Sequence, residues 1–343
     1  MKAMILAAGA GTRLQPITLE TPKPMVPVVN RPVVHHVLDN LARHGARDVV
    51  MNLHSQPGQI RAYCGDGSRW GLSLRYSHEP RLLGTAGAVK RVEGFFKDGT
   101  FLVVSGDGLS DADLTKLVRF HKKKRSLATM AVKAVDVRFD YGVTLSNGTG
   151  RITGFREKPS WGDVFSNRVN TGIYVFEPDV FRFIPKGFYD FGHELWPKLL
   201  KLGKPIYAWE HKGYWCDVGN LSEYRKAQVD SLTGKVRIHI PGKLLRPGVW
   251  AEEGSRVHPK AALVAPCLIG RGAVIESGSR IGPFTVVGGG SRVMPKAVLK
   301  NCTLFDGVVV SRNVHLSNCI IGANGRVSED IAVYEAAVLN IRR

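Results

Sequence analysis

Eight aliphatic residues, Val257, Leu263, Ile269, Ile275, Ile281, Val287, Val293 and Leu299, follow one another at intervals of six without a miss. Four positions after each of the first seven stands a small residue: Ala261, Cys267, Ala273, Ser279, Thr285, Ser291 and Ala297. Two positions locked in phase over so many repeats define an array of short units, none of which can bury its apolar face alone, so that neighbours must stack to make a core. From about residue 245 the composition shifts to valine, isoleucine, glycine and small polar residues. The phase slips between Asn301 and Gly307, where an insertion or a deformed turn is expected, and a weaker register resumes at Val308, Val314 and Ile320, with Val327 beyond.

The period resembles the hexapeptide repeat of left-handed parallel β-helices, in which three hexads make one triangular coil. That resemblance implies inward aliphatics stacked as a core, small residues at the corners and roughly five coils. The β-helix is expected over residues 248–343 with its C-terminal tail, after a linker at 237–247 marked by Pro241, Gly242 and Pro247. A domain of another kind is expected over 1–236.

That first domain opens on a strand-length apolar run ending in small residues, Met4-Ile5-Leu6-Ala7-Ala8-Gly9-Ala10-Gly11-Thr12-Arg13, followed by Thr21-Pro22-Lys23-Pro24. Gly9 and Gly11 permit backbone conformations and close approaches that let successive N–H groups converge on an anion. Arg13 offers a fork of donors and Lys23 a compact point charge, while the flanking prolines limit where that ammonium can go. The pattern is that of a polyphosphate site. It lacks both the G-x-x-x-x-G-K-[ST] spacing and the third glycine of the dinucleotide fingerprint. Apolar positions Val33, Val34, Val37, Leu38 and Leu41 then predict a helix over 33–44, and Asp48 to Leu53 a strand, an order that predicts parallel pairing in a layered α/β domain. Residues 112–122 read as a helix capped by Ser110 or Asp111.

The string AGAGTRLQPITLETPKPMVPVVNRPVVHHVL resembles the signature of the sugar-nucleotide pyrophosphorylases, a nucleotidyltransferase family, and is most similar to its mannose-1-phosphate guanylyltransferase branch in bacteria. Further matches continue through the rest of the first domain. The resemblance implies a Rossmann-like α/β/α domain with a mostly parallel mixed sheet, with Leu6, Ala8, Gly9, Gly11, Thr12, Arg13 and Lys23 on the nucleotide and Arg13 and Lys23 in catalytic roles. It places Glu79, Gly84 and Thr85 against the nucleobase and ribose. Glu79 stands where thymidylyl and uridylyl relatives tend to carry glutamine, and a carboxylate, which only accepts hydrogen bonds, suits the N–H edge of guanine. Asp107, closing the strand-like run Phe101 to Ser105, and Asp217, in Gly213-Tyr214-Trp215-Cys216-Asp217, match two carboxylates that hold Mg²⁺, with Asp107 also at the nucleotide. Gly142, Glu157, Lys158, Asn170 and Thr171 match the half-site for a sugar phosphate. The implied reaction joins GTP to mannose 1-phosphate, releasing pyrophosphate and forming GDP-mannose; glucose 1-phosphate with another nucleoside triphosphate is the alternative.

Two rival readings remain. Acyl transfer on the β-helix would use a histidine base, but His239, His258 and His315 sit in no recognisable motif. A non-catalytic regulator usually loses phosphate or metal residues, whereas Arg13, Lys23, Asp107, Lys158 and Asp217 are all present. A net charge of +19 invites a nucleic-acid reading, yet the basic residues are spread out and the one dense run, Lys122 to Arg125, has no interleaved aromatic platform. Neither nucleic acid nor membrane is expected as a partner. The five scattered cysteines form no C-x-x-C pair, which fits a reducing cytoplasm, and the β-helix suggests a homo-oligomer.

Overall fold

A computed structural model describes residues 1–135, 141–160, 162 and 164–339, so the last positions of the expected tail, 340–343, lie outside the described residues. It divides into two compact units, one of Met1–Ala10, Pro22–Pro24 and Val33–Asp217, the other of Gly11–Thr21, Met25–Pro32 and Val218–Arg343.

The first unit is built on a mixed sheet. Its first strand, β1 (Lys2–Leu6), is the apolar run before the glycines, and Ala3, Met4 and Ile5 are wholly buried. Burial on both faces is the condition of a central parallel strand. The expected helix forms as α1 (Val33–Arg43), presenting Val33, Val34, Val37, Leu38 and Leu41 to the core, and the chain leaves it through Gly45 at φ 77°. Next come β2 (Asp48–Leu53), α2 (Pro57–Cys64), β3 (Ser73–His78), α3 (Gly84–Arg91) and β4 (Phe101–Ser105). Strands β2 and β4 flank β1 in parallel, with Leu6 level with both Asn52 and Ser105, and β3 lies outside β2. The chain therefore steps outward from β1 to β3 and returns to the other side of β1 for β4. Open α/β sheets bind ligands beyond the carboxyl ends of the strands at such a reversal.

The rest of the sheet is largely antiparallel. After the short β5 (Gly108–Ser110), α4 (Leu114–Lys124) leads into β6 (Ala128–Ala134), followed by β7 (Val143–Ser146), β8 (Ile152–Arg156) and the long β9 (Arg168–Phe176). Strand β9 runs antiparallel to both β4 and β6, and β10 (Ile206–Glu210) pairs parallel with β6. The core beneath carries an aromatic group in which Phe176 stacks on Trp196 at 5.6 Å and Phe101 on Phe181 at 5.5 Å. Helix α4 begins later than its sequence suggests, because Asp113 and not Ser110 or Asp111 is its cap, accepting from Lys116 N at 2.9 Å. The dense basic run forms its last turn, where cations meet the negative end of the helix dipole.

In the second unit, residues 249–338 wind into a triangular parallel β-helix. One face stacks six parallel passes, from Val249–Ala251 to Ala337–Val338, and the other two stack five each. The hexad aliphatics Ile269, Ile275, Ile281, Val287, Val293 and Leu299 lie in its core, at most 1% exposed. So do the small residues Cys267, Ala273, Ser279, Thr285, Ser291 and Ala297.

The slip after Leu299 is a deletion, not an insertion. Val274 pairs with Arg292, a step of three full hexads, but the steps from Arg292 to its partner Val309 and from Val309 to Arg326 are each one position shorter. The lost residue falls at one corner: six positions separate paired residues Arg280 and Val286, but five separate Val298 from Thr303 and His315 from Ile320. At this corner Asn301, Asn318 and Glu335 adopt φ 50°, 57° and 56°, as Phe284 does at φ 57° one turn earlier. Asparagine tolerates this left-handed region better than most residues. Asn301 Nδ2 donates to Asn318 Oδ1 at 2.7 Å, joining successive corners. The aliphatic columns continue at Leu304, Val310, Leu316, Ile321 and Val327; Val308 and Val314, expected to carry them, instead occupy the columns of the small residues.

Asn318→Val would place a β-branched residue at a left-handed corner and remove the acceptor for Asn301. We expect a loss of about 2 kcal/mol in the urea unfolding of the β-helix. An unchanged midpoint would refute this account of the corner.

Candidate active site

Three stretches meet at one ammonium. Asp107 lies just beyond β4, at the reversal of the sheet. The strand β11 (Trp215–Asp217) pairs antiparallel with β5, setting Asp217 opposite Gly108. Lys23, between its two prolines, is only 8% exposed, and its Nζ donates to Asp107 Oδ2 at 2.5 Å and to Asp217 Oδ1 at 3.1 Å. Ser105 Oγ donates to the other oxygen of Asp107 at 2.5 Å. Burial pulls the Lys23 ammonium down, but the two carboxylates outweigh it and leave its pKa above the ordinary value. Burial likewise pushes Asp107 up, and Lys23 with the Ser105 hydroxyl holds it below the usual carboxylate range.

This donor set suits a hard divalent cation: carboxylate oxygens focused on one positive centre, with the lysine ammonium standing where a metal ion could be held. Among the described residues, no three His, Cys, Asp or Glu side chains cluster as a self-sufficient metal site. Remaining ligands would have to come from substrate or water.

Asp111, read from the sequence as a candidate helix cap, supports this arrangement. Its Oδ1 accepts from Tyr214 N at 2.7 Å, Ser110 Oγ donates to Tyr214 O at 3.1 Å, and Lys133 Nζ donates to Gly213 O at 2.6 Å. These bonds fix the approach to Asp217 from far away in the sequence, a separation that no local motif advertises.

In the glycine loop, Leu6 O accepts from Gly106 N at 2.8 Å, Ala8 is buried, and the space around Gly9 where a Cβ would project is open. Gly11 adopts φ 68° ahead of a short turn, Thr12–Leu14, in which Thr12 and Arg13 are exposed and Leu14 is buried.

The segment expected at the nucleobase is committed to the protein itself. Glu79 is 1% exposed, and its carboxylate accepts from Asn52 Nδ2 at 2.9 Å and from Leu83 N at 3.1 Å. Thr85 Oγ1 donates to Asp190 Oδ2 at 2.8 Å and accepts from Phe191 N at 2.7 Å. Gly84, at φ 71°, is needed for a close backbone approach, since a Cβ there would lie 2.5 Å from Tyr189 O.

The sugar-phosphate set is partly assembled. A Cβ at Gly142 would stand 2.7 Å from Glu157 Oε2, and one at Gly192 would also strike that carboxylate, so two glycines make room for Glu157. Burial raises the pKa of Glu157, against the opposing pull of Lys158. Lys158 adopts φ 42°. Asn170 and Thr171 turn inward: Asn170 Nδ2 donates to Tyr174 Oη at 2.8 Å, and Thr171 Oγ1 to Ala131 O at 2.7 Å. The first of these pairs spans the break in register between β9 and β6.

A glycine loop at the reversal of an α/β sheet, beside a lysine held by two carboxylates, describes an enzyme that handles polyphosphates. The chain belongs to the nucleotidyl transferase family: the family model so described matches residues 2–234, and a second, described as GMPPB C-terminal domain, matches residues 263–341. A UTP–glucose-1-phosphate uridylyltransferase of Synechocystis is 37% identical over 89% of this chain and 83% of its own. A mannose-1-phosphate guanylyltransferase of Mycobacterium tuberculosis is 34% identical over 81% and 77%, and mannose-1-phosphate guanylyltransferase 1 of Arabidopsis thaliana 31% over 99% and 91%. Among solved structures, a putative glucose-1-phosphate thymidylyltransferase from Bacillus anthracis matches with a TM-score of 0.62 at 26% identity, covering 70% of this chain and 96% of that one.

The stability that the charge cluster contributes has a defined pH window. Because Asp107 is depressed, its share is present above the ordinary carboxylate pKa of 3.8 and is lost as pH falls through the folded value; because Lys23 is raised, its share is present below 10.5 and is lost as pH rises through the folded value. Lys23→Met would leave two carboxylates facing each other, raising one of their pKa values. Relative to wild type, urea unfolding of that variant should then show stability gained as pH is lowered from about 7 to 5. A variant whose stability follows the same pH dependence as wild type would contradict the cluster.

Proposed function

We propose that the protein joins a nucleoside triphosphate to a hexose 1-phosphate, forming a nucleotide sugar and releasing pyrophosphate, with GTP and mannose 1-phosphate as substrates and GDP-mannose as product. The observation that carries the reaction class is Lys23 Nζ held between Asp107 and Asp217 beside the glycine loop. The substrate pair rests on the guanylyltransferase names of the Mycobacterium and Arabidopsis relatives and on the family described for the C-terminal region. The Synechocystis relative favours UTP with glucose 1-phosphate as the second reading.

In this reaction an oxygen of the sugar phosphate attacks the α-phosphorus in line, a new P–O bond forms, and the bond to the departing pyrophosphate breaks. Asp107 and Asp217 hold Mg²⁺, which when bound supplies neutralisation of charge on the α-phosphate. Lys23 brings a second fixed positive charge to the reacting phosphates, while Arg13 and the backbone from Gly9 to Gly11 retain the pyrophosphate. Leu6, Ala8 and Thr12 complete the nucleotide wall, with Gly84 and Thr85 shaping it from the far side. Glu157 accepts from sugar hydroxyls in the space left by Gly142, Lys158 meets the sugar phosphate, and Asn170 and Thr171 hold the strand that backs the pocket. Positioning and electrostatics supply most of the rate, since no covalent intermediate with the protein is required.

We assign catalysis to residues 1–236, a linker to 237–247 and oligomer contacts to the β-helix at 248–343, in a cytoplasmic enzyme. Among the described residues no helix is long and apolar enough to cross a membrane.

Pyrophosphate release across the nucleoside triphosphates, each paired with mannose 1-phosphate or glucose 1-phosphate in Mg²⁺, tests the reading. Release with GTP and mannose 1-phosphate is the expected result; release only with UTP and glucose 1-phosphate would install the second reading, and none with any pair would dismiss both. Lys23→Ala and Asp107→Ala should each remain folded and lose at least about a hundredfold in kcat, the scale for removing one electrostatic stabiliser. Gly142→Ala should raise KM for the sugar phosphate through displacement of Glu157 and leave KM for the nucleotide unchanged, as initial-rate kinetics would read out.

A further inference from the structure

A buried relay joins the phosphate loop to the segment that faces the nucleotide. Asn52, 4% exposed near the end of β2, accepts from Ala7 N at 2.8 Å through Oδ1; Ala7 is the first residue of the glycine loop. Its Nδ2 donates to Glu79 Oε1 at 2.9 Å, and Glu79 Oε2 accepts from Leu83 N at 3.1 Å, immediately before Gly84 opens α3. The backbone of Glu79 is held as well: its N–H donates to Leu53 O at 2.8 Å and its carbonyl meets His54 Nδ1 at 2.7 Å. Each polar atom in the line has a partner of the required kind, with the amide of Asn52 correctly turned between an N–H and a carboxylate.

We propose that Asn52 and Glu79 are positioning residues that set the spacing between the phosphate loop and residues 83–85, and that Glu79 acts through the Leu83 backbone and not on the base. The inference rests on the nucleotidyltransferase reading of the site. A carboxylate with 1% exposure and both oxygens engaged from within is placed to hold a loop; a base reader would have to present a free edge to a pocket. Nucleotide preference then lies elsewhere in the site, and an enzyme of this family carrying this glutamate could take either a purine or a pyrimidine triphosphate.

The relay has an internal control, because amide and carboxylate can exchange places. In Glu79→Gln the side-chain oxygen cannot serve both Asn52 Nδ2 and Leu83 N, so one bond is lost. In Asn52→Asp two carboxylates face each other and must share a proton, which makes the defect depend on pH. In the double variant, the amide introduced at position 79 can accept from Leu83 N through its oxygen and donate through its nitrogen to the carboxylate introduced at position 52. The second oxygen of that carboxylate can accept from Ala7 N, so every bond is restored with its polarity reversed between the two side chains.

Each single variant should raise KM for the nucleoside triphosphate about tenfold, with KM for the sugar phosphate unchanged and the ratio of kcat/KM between GTP and UTP held within about twofold of wild type. The defect of Asn52→Asp should shrink on acidification, and the double variant should return to within about threefold of wild type. A GTP-to-UTP ratio that moves tenfold or more in Glu79→Gln would overturn the proposal in favour of base reading, as would additive loss in the double variant. Wild-type protein is assayed in parallel. If it turns over no nucleotide, the functional reading fails, and the relay is judged by hydrogen exchange over residues 4–14 and 79–90, where faster exchange in each single variant and recovery in the double would uphold it and unchanged rates would end it.

Discussion

The first unit is organised around a charge balance of one ammonium and two carboxylates. Removed from water, two carboxylates brought to one point repel each other strongly, and a lysine with 8% exposure is costly alone. Together they are mutually compensated. Asp107 is placed by β4, Asp217 by the pairing of β11 with β5, and Lys23 by two prolines, so the cluster can form only when the sheet is complete and its reversal point closed. That concentration of charge makes these residues dependent on the fold for their stability.

Much of the surrounding motif is scaffold. Thr85 ties the start of α3 to Asp190 and Phe191, Asn170 spans a break in register, Thr171 is bonded into the sheet, and Glu79 holds Leu83. The walls of such a pocket must be built from polar side chains whose hydrogen bonds are satisfied inward. A residue in a binding motif need not touch the ligand, and for several of these the geometry gives a sufficient reason of another kind.

The sequence is most informative where a periodic constraint acts on many residues at once. The hexad columns are legible because each stacked aliphatic meets the same neighbours one turn away, and the strand, loop and helix at the N-terminus because burial on both faces and glycine-rich punctuation leave local marks. The shortened corners are not. Val308 and Val314 are as buried as the columns they mimic, so hydrophobicity alone selects the wrong phase. The cap of α4 passes to Asp113 because Ser110 and Asp111 are drawn to Tyr214, and the part played by Asp111 is invisible locally because its partner lies far along the chain. The burial of Glu79 is hidden in the same way: Asn52 carries no sign in the sequence that its amide will meet that carboxylate.

The loss of one position per turn also bears on how such a domain can vary in length. Copying or deleting a whole turn leaves the stack continuous only if the corners above and below it are of the same kind. Beside the longer turns, whose corners carry Pro266 and Pro283, an added segment of three full hexads keeps every column aligned; among the later turns it would set a longer corner beside Asn301 or Asn318 and, placed between them, break the hydrogen bond that joins them. The two halves of the β-helix are therefore not interchangeable stock for duplication, and inheritance can lengthen each only with copies of its own turn.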